Sequence, residues 1–170
     1  KVAPSLAAGN AMVVKPSELA PITPLLLGEI LKEAGVPNGT YNVVPGFGPT
    51  AGLALSLHPR IKKIDLTGGT ETGKAVASIA GRNLTQVSAE LGGKAGVIVF
   101  PDTSIDRAVA ATMFASFIAS GQTCVQGARL LVHRAIHDEV VAELVRRTRK
   151  IRLGDPQLET TQMGPLVSSR

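Results

Sequence analysis

The alternation of short β-prone segments with helix-like segments along the whole chain predicts an α/β fold. The β-prone runs are rich in Val, Ile and Leu, the segments between them place apolar residues at helical spacing, and Gly or Pro stands at most of the boundaries. Strands joined by helices of this length form right-handed β-α-β crossovers. We therefore expect a largely parallel sheet that is covered on both faces.

The first half of the chain is predicted to begin with a strand over residues 11–15, because Pro16 disfavours helix in the residue before it. Thr23 is predicted to cap the next helix, with Pro24 at its first position and residues 25–34 continuing it. The segments that follow are a strand over 41–44, a turn over 45–49, a short helix up to 58, a strand over 61–67, a helix that is entered through 68–73 and runs to 80, and a strand over 84–90.

The second half of the chain continues the same alternation without an internal repeat or a low-complexity linker. The predicted segments are a strand over 96–100, a helix over 104–119, a strand over 128–133 and a helix over 136–152. The glycine pair at 92 and 93, where extended chain meets a hinge-like turn, is the predicted domain boundary. It divides the chain into residues 1–91 and 92–170.

Composition and charge argue against several classes of partner. The chain is 44% hydrophobic and contains no Trp, so it suits a globular fold with few side chains that could stack on bases. The basic cluster at 146–152 lies on a helix whose opposite face is apolar, and we interpret it as a solvated surface rather than a nucleic-acid site. No apolar run is long enough to span a membrane, and His133 and His137 lack a third metal ligand. We predict no nucleic-acid, membrane or metal partner.

The single cysteine excludes an internal disulfide and favours a reducing compartment, so we expect a cytoplasmic protein. The chain starts with Lys1 rather than Met, and it stops soon after a Gly-Pro pair. We interpret it as a piece of a longer protein, whose charge need not match the +5 of this chain.

Cys124 stands in the glycine-flanked run 120–127, where small neighbours would let a substrate reach the thiol. Glu90 ends a strand-like run and precedes a glycine pair. A cysteine nucleophile together with a glutamate base is suited to acyl chemistry. Taken alone, a lone cysteine is more often a small buried hydrophobe, so this reading stays open at this point.

Two segments could bind a nucleotide. Residues 68–73 follow a strand and precede a helix, where free N–H groups attract phosphate, although the dinucleotide fingerprint needs glycine where Thr70 stands. The run from Lys15 to Glu18 stands at the end of another strand, and a carboxylate there could accept hydrogen bonds from ribose hydroxyls. The first segment could equally be a tight packing turn, and the second an ordinary polar loop.

Taken in order, the motifs of this chain resemble those of the aldehyde dehydrogenase superfamily, and the resemblance extends over essentially all of it. Glu90 and Cys124 stand in its two most specific motifs. The motifs are Ala-Gly-Asn at 8–10, Lys-Pro-Ser-Glu at 15–18, Asn-Val-Val-Pro-Gly at 42–46, Leu-Thr-Gly-Gly-Thr at 66–70, Glu-Leu-Gly-Gly-Lys at 90–94, Gly-Gln-Thr-Cys at 121–124, Gly-Asp-Pro at 154–156 and Met-Gly-Pro at 163–165.

The resemblance implies a role for each matching position. Cys124 would be the catalytic thiol and Glu90 the general base. The pair Lys15 and Glu18 would contact the adenosine ribose. The remaining coenzyme contacts that the resemblance implies fall on Pro16, Ser17, Gly48, Pro49, Gly68, Gly69, Thr70, Gly73, Leu91 and Gly92. Residues 1–91 would then end a Rossmann-like NAD(P)-binding domain, and residues 92–170 would begin an α/β catalytic domain.

The resemblance further implies NAD-dependent oxidation of a small-molecule aldehyde to a carboxylic acid, through a thiohemiacetal and a thioester on Cys124 that is hydrolysed with Glu90 as base. Glu18 favours NAD, since a carboxylate repels the 2′-phosphate of NADP, but Lys15 nearby leaves NADP possible. Gly69 departs from the family pattern, which usually has Ser there. The full-length protein is expected to be a homo-oligomer, either a dimer or a tetramer, and the isolated piece to be inactive.

Two alternatives from other classes remain open. The protein could be a non-catalytic structural or binding relative of the family, which a turnover assay would distinguish. It could instead be a thiol redox sensor, which predicts rapid oxidation of Cys124 without any need for coenzyme.

Overall fold

The computed structural model describes residues 1–169. Six strands in this range form three two-stranded sheets. The strands are β1 (Met12–Val14), β2 (Tyr41–Val43), β3 (Lys63–Gly68), β4 (Gln86–Leu91), β5 (Ala95–Val99) and β6 (Gly127–Val132). β1 pairs with β2 in parallel, β3 lies beside β4, and β5 pairs with β6 in parallel with a register shift after Ala95. The parallel pairs joined by helices confirm the predicted α/β class.

Helices precede, separate and follow these strands in the chain. They are α1 (Val2–Ala7), α2 (Ile22–Glu33), α3 (Leu53–Leu57), α4 (Thr70–Gly81), α5 (Ile105–Phe117) and α6 (His137–Thr148). A π-helical turn, Gly48–Gly52, leads into α3, and 3₁₀ turns over Ile118–Gly121 and Arg134–Ile136 follow α5 and precede α6. The chain divides into two compact units, Lys1–Glu90 and the part from Leu91 onward.

The start of α2 differs from the sequence prediction. The helix begins at Ile22 with Pro21 at the N-cap, so the prediction that Thr23 caps it was wrong. Pro24 therefore lies within the first turn, where its missing N–H removes no intrahelical hydrogen bond. The sequence also gave no warning of α1, which ends before Gly9 at a φ of +75°.

Two predicted helices extended too far toward their C-termini. α5 ends at Phe117 rather than 119, because Ala119 adopts a left-handed conformation that no α-helix can continue through. α6 ends at Thr148 rather than 152, where the N–H groups of Lys150 and Ile151 bond to carbonyls three residues earlier. Cationic side chains at 149–152 therefore belong to a turn and not to the helix.

The core of the second unit lies between the sheet β5–β6 and its two helices. Val109 of α5 and Val140 of α6 are fully buried, and Val99 of β5 is nearly so. The opposite face of this sheet is open, with Ile98 and its register partner Leu131 both exposed. Parallel sheets are normally covered on both faces, so this apolar face is of a kind that other protein segments usually cover.

Candidate active site

Cys124 lies in the loop between the 3₁₀ turn Ile118–Gly121 and β6, and its thiol is exposed. We call residues 119–127 the thiol loop. The next residue, Val125, is also open to solvent. Cys124 is thus not packed as a small hydrophobe, and its sulfur is accessible to a substrate.

The thiol loop begins with an unusual run of backbone. Ala119 has φ 48° and ψ 45°, Ser120 has φ 56° and ψ 28°, and Gly121 has φ 75°. The left-handed conformation costs a non-glycine residue about 1–2 kcal/mol. Such conformations persist only where the surroundings hold them, and they occur often at functional sites.

Side-chain hydrogen bonds hold the thiol loop from both sides. The Ser120 hydroxyl donates to the carbonyl of Gly164 at 3.1 Å, and the side-chain oxygen Oε1 of Gln122 accepts from the N–H of Val167 at 3.0 Å. Ser116 of α5 donates to the carbonyl of Gly127 at 3.0 Å, which fixes the start of β6 against the helix.

Polar groups beside the thiol lack a hydrogen-bond partner within residues 1–169. The Thr123 hydroxyl oxygen is buried without one. The backbone N–H of Cys124 itself also lacks a protein acceptor there. An unpaired N–H next to a nucleophile is a donor that could stabilise negative charge as it develops on a bound carbonyl oxygen.

Glu90 is exposed near the C-terminal end of β4 in the first unit. Leu91 is half-buried, Gly92 is exposed, and Lys94 takes a φ of 55° in the turn that follows. Within the second unit, Arg129 of β6 donates to the carbonyl of Lys94 at 3.1 Å and so fixes the end of that turn.

Lys15 and Glu18 lie together after β1, as the sequence predicted for a strand end. Their Nζ and Oε2 atoms are 3.7 Å apart, and the Lys15 ammonium also donates to the carbonyls of Pro16 at 2.5 Å and Gly46 at 2.9 Å. Pro16 is buried and Ser17 is exposed. The ammonium is therefore held by backbone carbonyls, while the half-exposed Glu18 carboxylate is open to a ligand.

The turn after β2 lies against the Lys15 side chain. A Cβ on Gly46 would lie 2.8 Å from the Cβ of Ala51, and one on Gly52 would touch Lys15 at 3.6 Å. Only glycine fits at position 46, because the π-helical turn that contains Gly48 and Pro49 folds back over it. The sequence indicated neither this π-helical turn nor its approach to Lys15.

Gly68 ends β3, Gly69 is the N-cap of α4, and Thr70 begins the helix. No side chain caps this helix, and the buried Gly73 donates to the carbonyl of Gly69 at 3.0 Å. The first N–H groups of α4 are therefore available to an anion. A Cβ on Gly69 would meet nothing within 4 Å, so this position has room for a side chain.

The sequence reading missed an ion-pair network on α6. Glu143 accepts from Arg146 at 2.5 and 2.6 Å and from Arg147 at 2.5 Å, and Arg147 also reaches Asp106 of α5. The hydrogen bonds from Arg146, and then those from Arg147, lower the pKa of Glu143 to about 2. These two arginines are thus paired within the fold and do not form a simply solvated basic face.

Other possible ligand sets give no site within residues 1–169. No group of three His, Cys, Asp or Glu side chains could hold a metal ion there, and His133 instead accepts the N–H of Ala135 at 3.2 Å. None of the helices in this range is long and apolar enough to cross a bilayer.

The structure is that of an α/β protein with an exposed thiol in one unit and a helix start without a side-chain cap in the other. The chain belongs to the aldehyde dehydrogenase family, whose model matches residues 1–170. This confirms the resemblance that the motifs indicated.

Solved structures agree over nearly the whole chain. A structure of PnpE in complex with nicotinamide adenine dinucleotide is 45% identical with a TM-score of 0.96, and it matches 99% of this chain with 34% of its own. A putative aldehyde dehydrogenase from Burkholderia cenocepacia is 43% identical with a TM-score of 0.96, and the match covers 99% of this chain and 34% of that protein. A mutant of aldehyde dehydrogenase C from Pseudomonas syringae, in complex with NAD+ and octanal, is 40% identical with a TM-score of 0.94, and the match covers 99% of this chain and 35% of that protein. The chain spans about a third of the length of these structures.

Proposed function

We propose that this chain supplies the nucleophile, the base and part of the coenzyme site of an NAD-dependent aldehyde dehydrogenase. The observation that carries the proposal is the exposed Cys124 thiol on a loop of strained backbone, in a chain that belongs to this family. The complexes of relatives with NAD+ and with octanal support the coenzyme and the substrate class.

Several loops of the chain fit NAD, and most of them belong to the first unit. The uncapped N-terminus of α4 offers N–H groups to the pyrophosphate beside Gly68 and Gly69, with Thr70 and Gly73 in the first turn. Glu18 offers an open carboxylate to ribose hydroxyls, next to Lys15. Pro16, Ser17, Gly48 and Pro49 would border the adenosine, and Leu91 and Gly92 the nicotinamide end. Residues 1–91 would thus belong to the coenzyme domain and 92–170 to the catalytic domain.

In the first half-reaction the Cys124 thiolate attacks the aldehyde carbon. A carbon–sulfur bond forms, and the carbonyl electron pair moves to oxygen, which gives a thiohemiacetal oxyanion. The unpaired N–H of Cys124 would donate to that oxygen. NAD held by this chain's residues would supply the acceptor for the hydride that leaves the thiohemiacetal carbon, and the oxyanion then re-forms a carbonyl to give the thioester.

In the second half-reaction Glu90 takes a proton from a water molecule, whose oxygen attacks the thioester carbon. The carbon–sulfur bond then breaks, the thiolate leaves, and the carboxylic acid is released. Glu90 would therefore serve deacylation more than acylation.

Exposure of Cys124 also favours the second candidate, a thiol redox sensor, because an accessible thiol is open to oxidants. The two functions differ in their requirement for coenzyme. A sensor reacts with peroxide and needs no aldehyde, whereas the dehydrogenase forms NADH in proportion to aldehyde.

The test uses the full-length enzyme, with NADH formation followed by stopped flow. Cys124→Ala should abolish turnover while NAD binding persists, because the thiol forms the covalent bond but contacts no phosphate. Glu90→Gln should slow steady-state turnover about 10²-fold or more and keep a burst of NADH. Glu29→Gln, an exposed carboxylate of α2, is the matched control. Substantial turnover in Cys124→Ala would sink the proposal.

A further inference from the structure

We propose that Ser120 and Gln122 are positioning residues for Cys124, and that the segment 163–167 is the fixed base to which they attach the thiol loop. This inference rests on the proposed function of Cys124. It assigns a role to the Met-Gly-Pro motif at 163–165, which the reaction steps above leave without one.

The thiol loop needs an anchor, because its own backbone does not favour its shape. Ala119 and Ser120 are both left-handed, and neither has a side chain that prefers this conformation. Gly121 follows with a φ of 75°, and a Cβ there would lie 3.0 Å from the Gln126 amide and 3.3 Å from the Ser116 carbonyl. The loop is therefore tightly packed on its inner side, against α5, and contacts from the outer side decide whether it stays in place.

The outer contacts are the two hydrogen bonds to the segment 163–167. Ser120 donates to Gly164 at 3.1 Å and Gln122 accepts from Val167 at 3.0 Å, across 44 and 45 residues of sequence. They lie four and two residues before Cys124, with the left-handed backbone between α5 and the thiol. Loss of these bonds would therefore displace the sulfur of Cys124 more than it displaces β6.

The segment 163–167 is itself held in place at its start. Met163 bridges Leu153 in parallel, its N–H donates to the carbonyl of Arg152 at 3.2 Å, and its carbonyl accepts from Gly154 at 3.2 Å. Gly164 lies close to Pro156, since a Cβ there would be 3.5 Å from the proline ring. The segment 163–167 therefore connects the thiol loop to the turn that follows α6 in the second unit.

The test compares variants of the full-length enzyme. Gln122→Met removes the acceptor at nearly constant volume, Gln122→Glu keeps an acceptor oxygen, and Ser120→Ala removes the second bond. Gln157→Met is the matched control, an exposed glutamine in the same unit outside the thiol loop. The readouts are the pH profile of the NADH burst rate and amide hydrogen exchange of residues 120–126.

We expect Gln122→Met to lower the plateau of the burst rate about tenfold, since a displacement of 1 Å can cost about 10²-fold, with no change in KM for NAD. Amide exchange of 120–126 should accelerate at least about fivefold, as expected of a loosened loop. Gln122→Glu should keep the plateau within about twofold, because an acceptor oxygen for the N–H of Val167 is retained. Ser120→Ala should change both readouts in the direction of Gln122→Met.

A plateau for Gln122→Met that equals the Gln157→Met control would overturn the inference, and so would a Gln122→Glu enzyme as slow as Gln122→Met. If Gln122→Met does not fold, Ser120→Ala takes its place, and a plateau for Ser120→Ala that equals the Gln157→Met control would overturn the inference. If the unaltered enzyme forms no NADH with any aldehyde, the proposed function fails instead. Hydrogen exchange then still decides the anchoring, because it needs neither aldehyde nor coenzyme.

Discussion

Replacement of Gly127 by alanine should destabilise the second unit and disturb Cys124 at the same time. Gly127 is buried where β6 begins, three residues after the thiol, and a Cβ there would lie 2.4 Å from the Cγ2 of Val97 and 3.1 Å from the Cβ of Ala115. Ordinary contacts of this kind lie near 3.5–4.0 Å, so β6 would have to move about 1 Å away from Val97.

The cost follows from the two neighbours that would be displaced. Val97 is β-branched and stiff at χ1, and Ala115 is fixed to the backbone of α5, so neither relaxes easily. Overpacking of a well-packed site costs about 1–3 kcal/mol, and with close contacts to two neighbours we expect about 2–3 kcal/mol. A displacement of about 1 Å at this position should also lower kcat tenfold or more, because reaction rates depend steeply on the placement of the nucleophile.

The assay measures thermal unfolding and kcat of the full-length enzyme, with Gly96→Ala as the matched control. Gly96 lies in the neighbouring strand β5, where a Cβ would make an ordinary contact of 3.5 Å with Leu131. Gly96→Ala should change stability by no more than about 1 kcal/mol, the usual range for glycine to alanine in a tolerant site. Equal unfolding temperatures for the two variants would refute the packing argument at Gly127.

Three further predictions concern charge and coenzyme binding. Gly69→Ser should lower the Kd for NAD several-fold at unchanged stability, because the site has room for a Cβ and a hydroxyl adds about one hydrogen bond to phosphate; isothermal titration measures this, and weaker binding would contradict it. Glu18→Gln should lower the ratio of kcat/KM for NAD to that for NADP by about tenfold or more, the scale of a charge-assisted hydrogen bond; an unaltered enzyme that already prefers NADP would show that Lys15 dominates. Glu143→Gln should lower the unfolding temperature above about pH 4.5, and this effect should disappear as the pH falls through about 2. The reason is that the pKa of Glu143 is lowered in the folded state, so Glu143 contributes to stability only while it is ionised. A pH-independent difference would mean that the charge of Glu143 does not stabilise the fold.

Apolar periodicity was enough to predict the α/β class and the order of most strands and helices. That Lys15 and Glu18 lie together at a strand end could also be predicted, because they are only three residues apart in sequence. Thr23 was misassigned because a hydroxyl and a following proline resemble a helix start, whereas α2 had already begun one residue earlier. Local signals of this kind place a helix end only to within a few residues.

The shape of the thiol loop could not be predicted in the same way. Ala119 and Ser120 show no preference for left-handed backbone, so only tertiary contacts explain their conformation. Gln122 meets Val167 across 45 residues, a separation that carries no periodic signal. The pairs of Glu143 with Arg146 and Arg147 follow helical spacing and were readable from sequence, but the link from Arg147 to Asp106 was not.

The most direct test of the account is to locate the covalent intermediate. Full-length Glu90→Gln enzyme is mixed with NAD and an aldehyde that supports NADH formation by the unaltered enzyme, quenched in acid soon after NADH first forms, digested and analysed by mass spectrometry. Because deacylation is slowed, the account predicts the corresponding acyl group on the peptide that contains Cys124, in an amount equal to the NADH formed, and none in Cys124→Ala. NADH formation without an acyl group on Cys124, or with the acyl group on another residue, would contradict it.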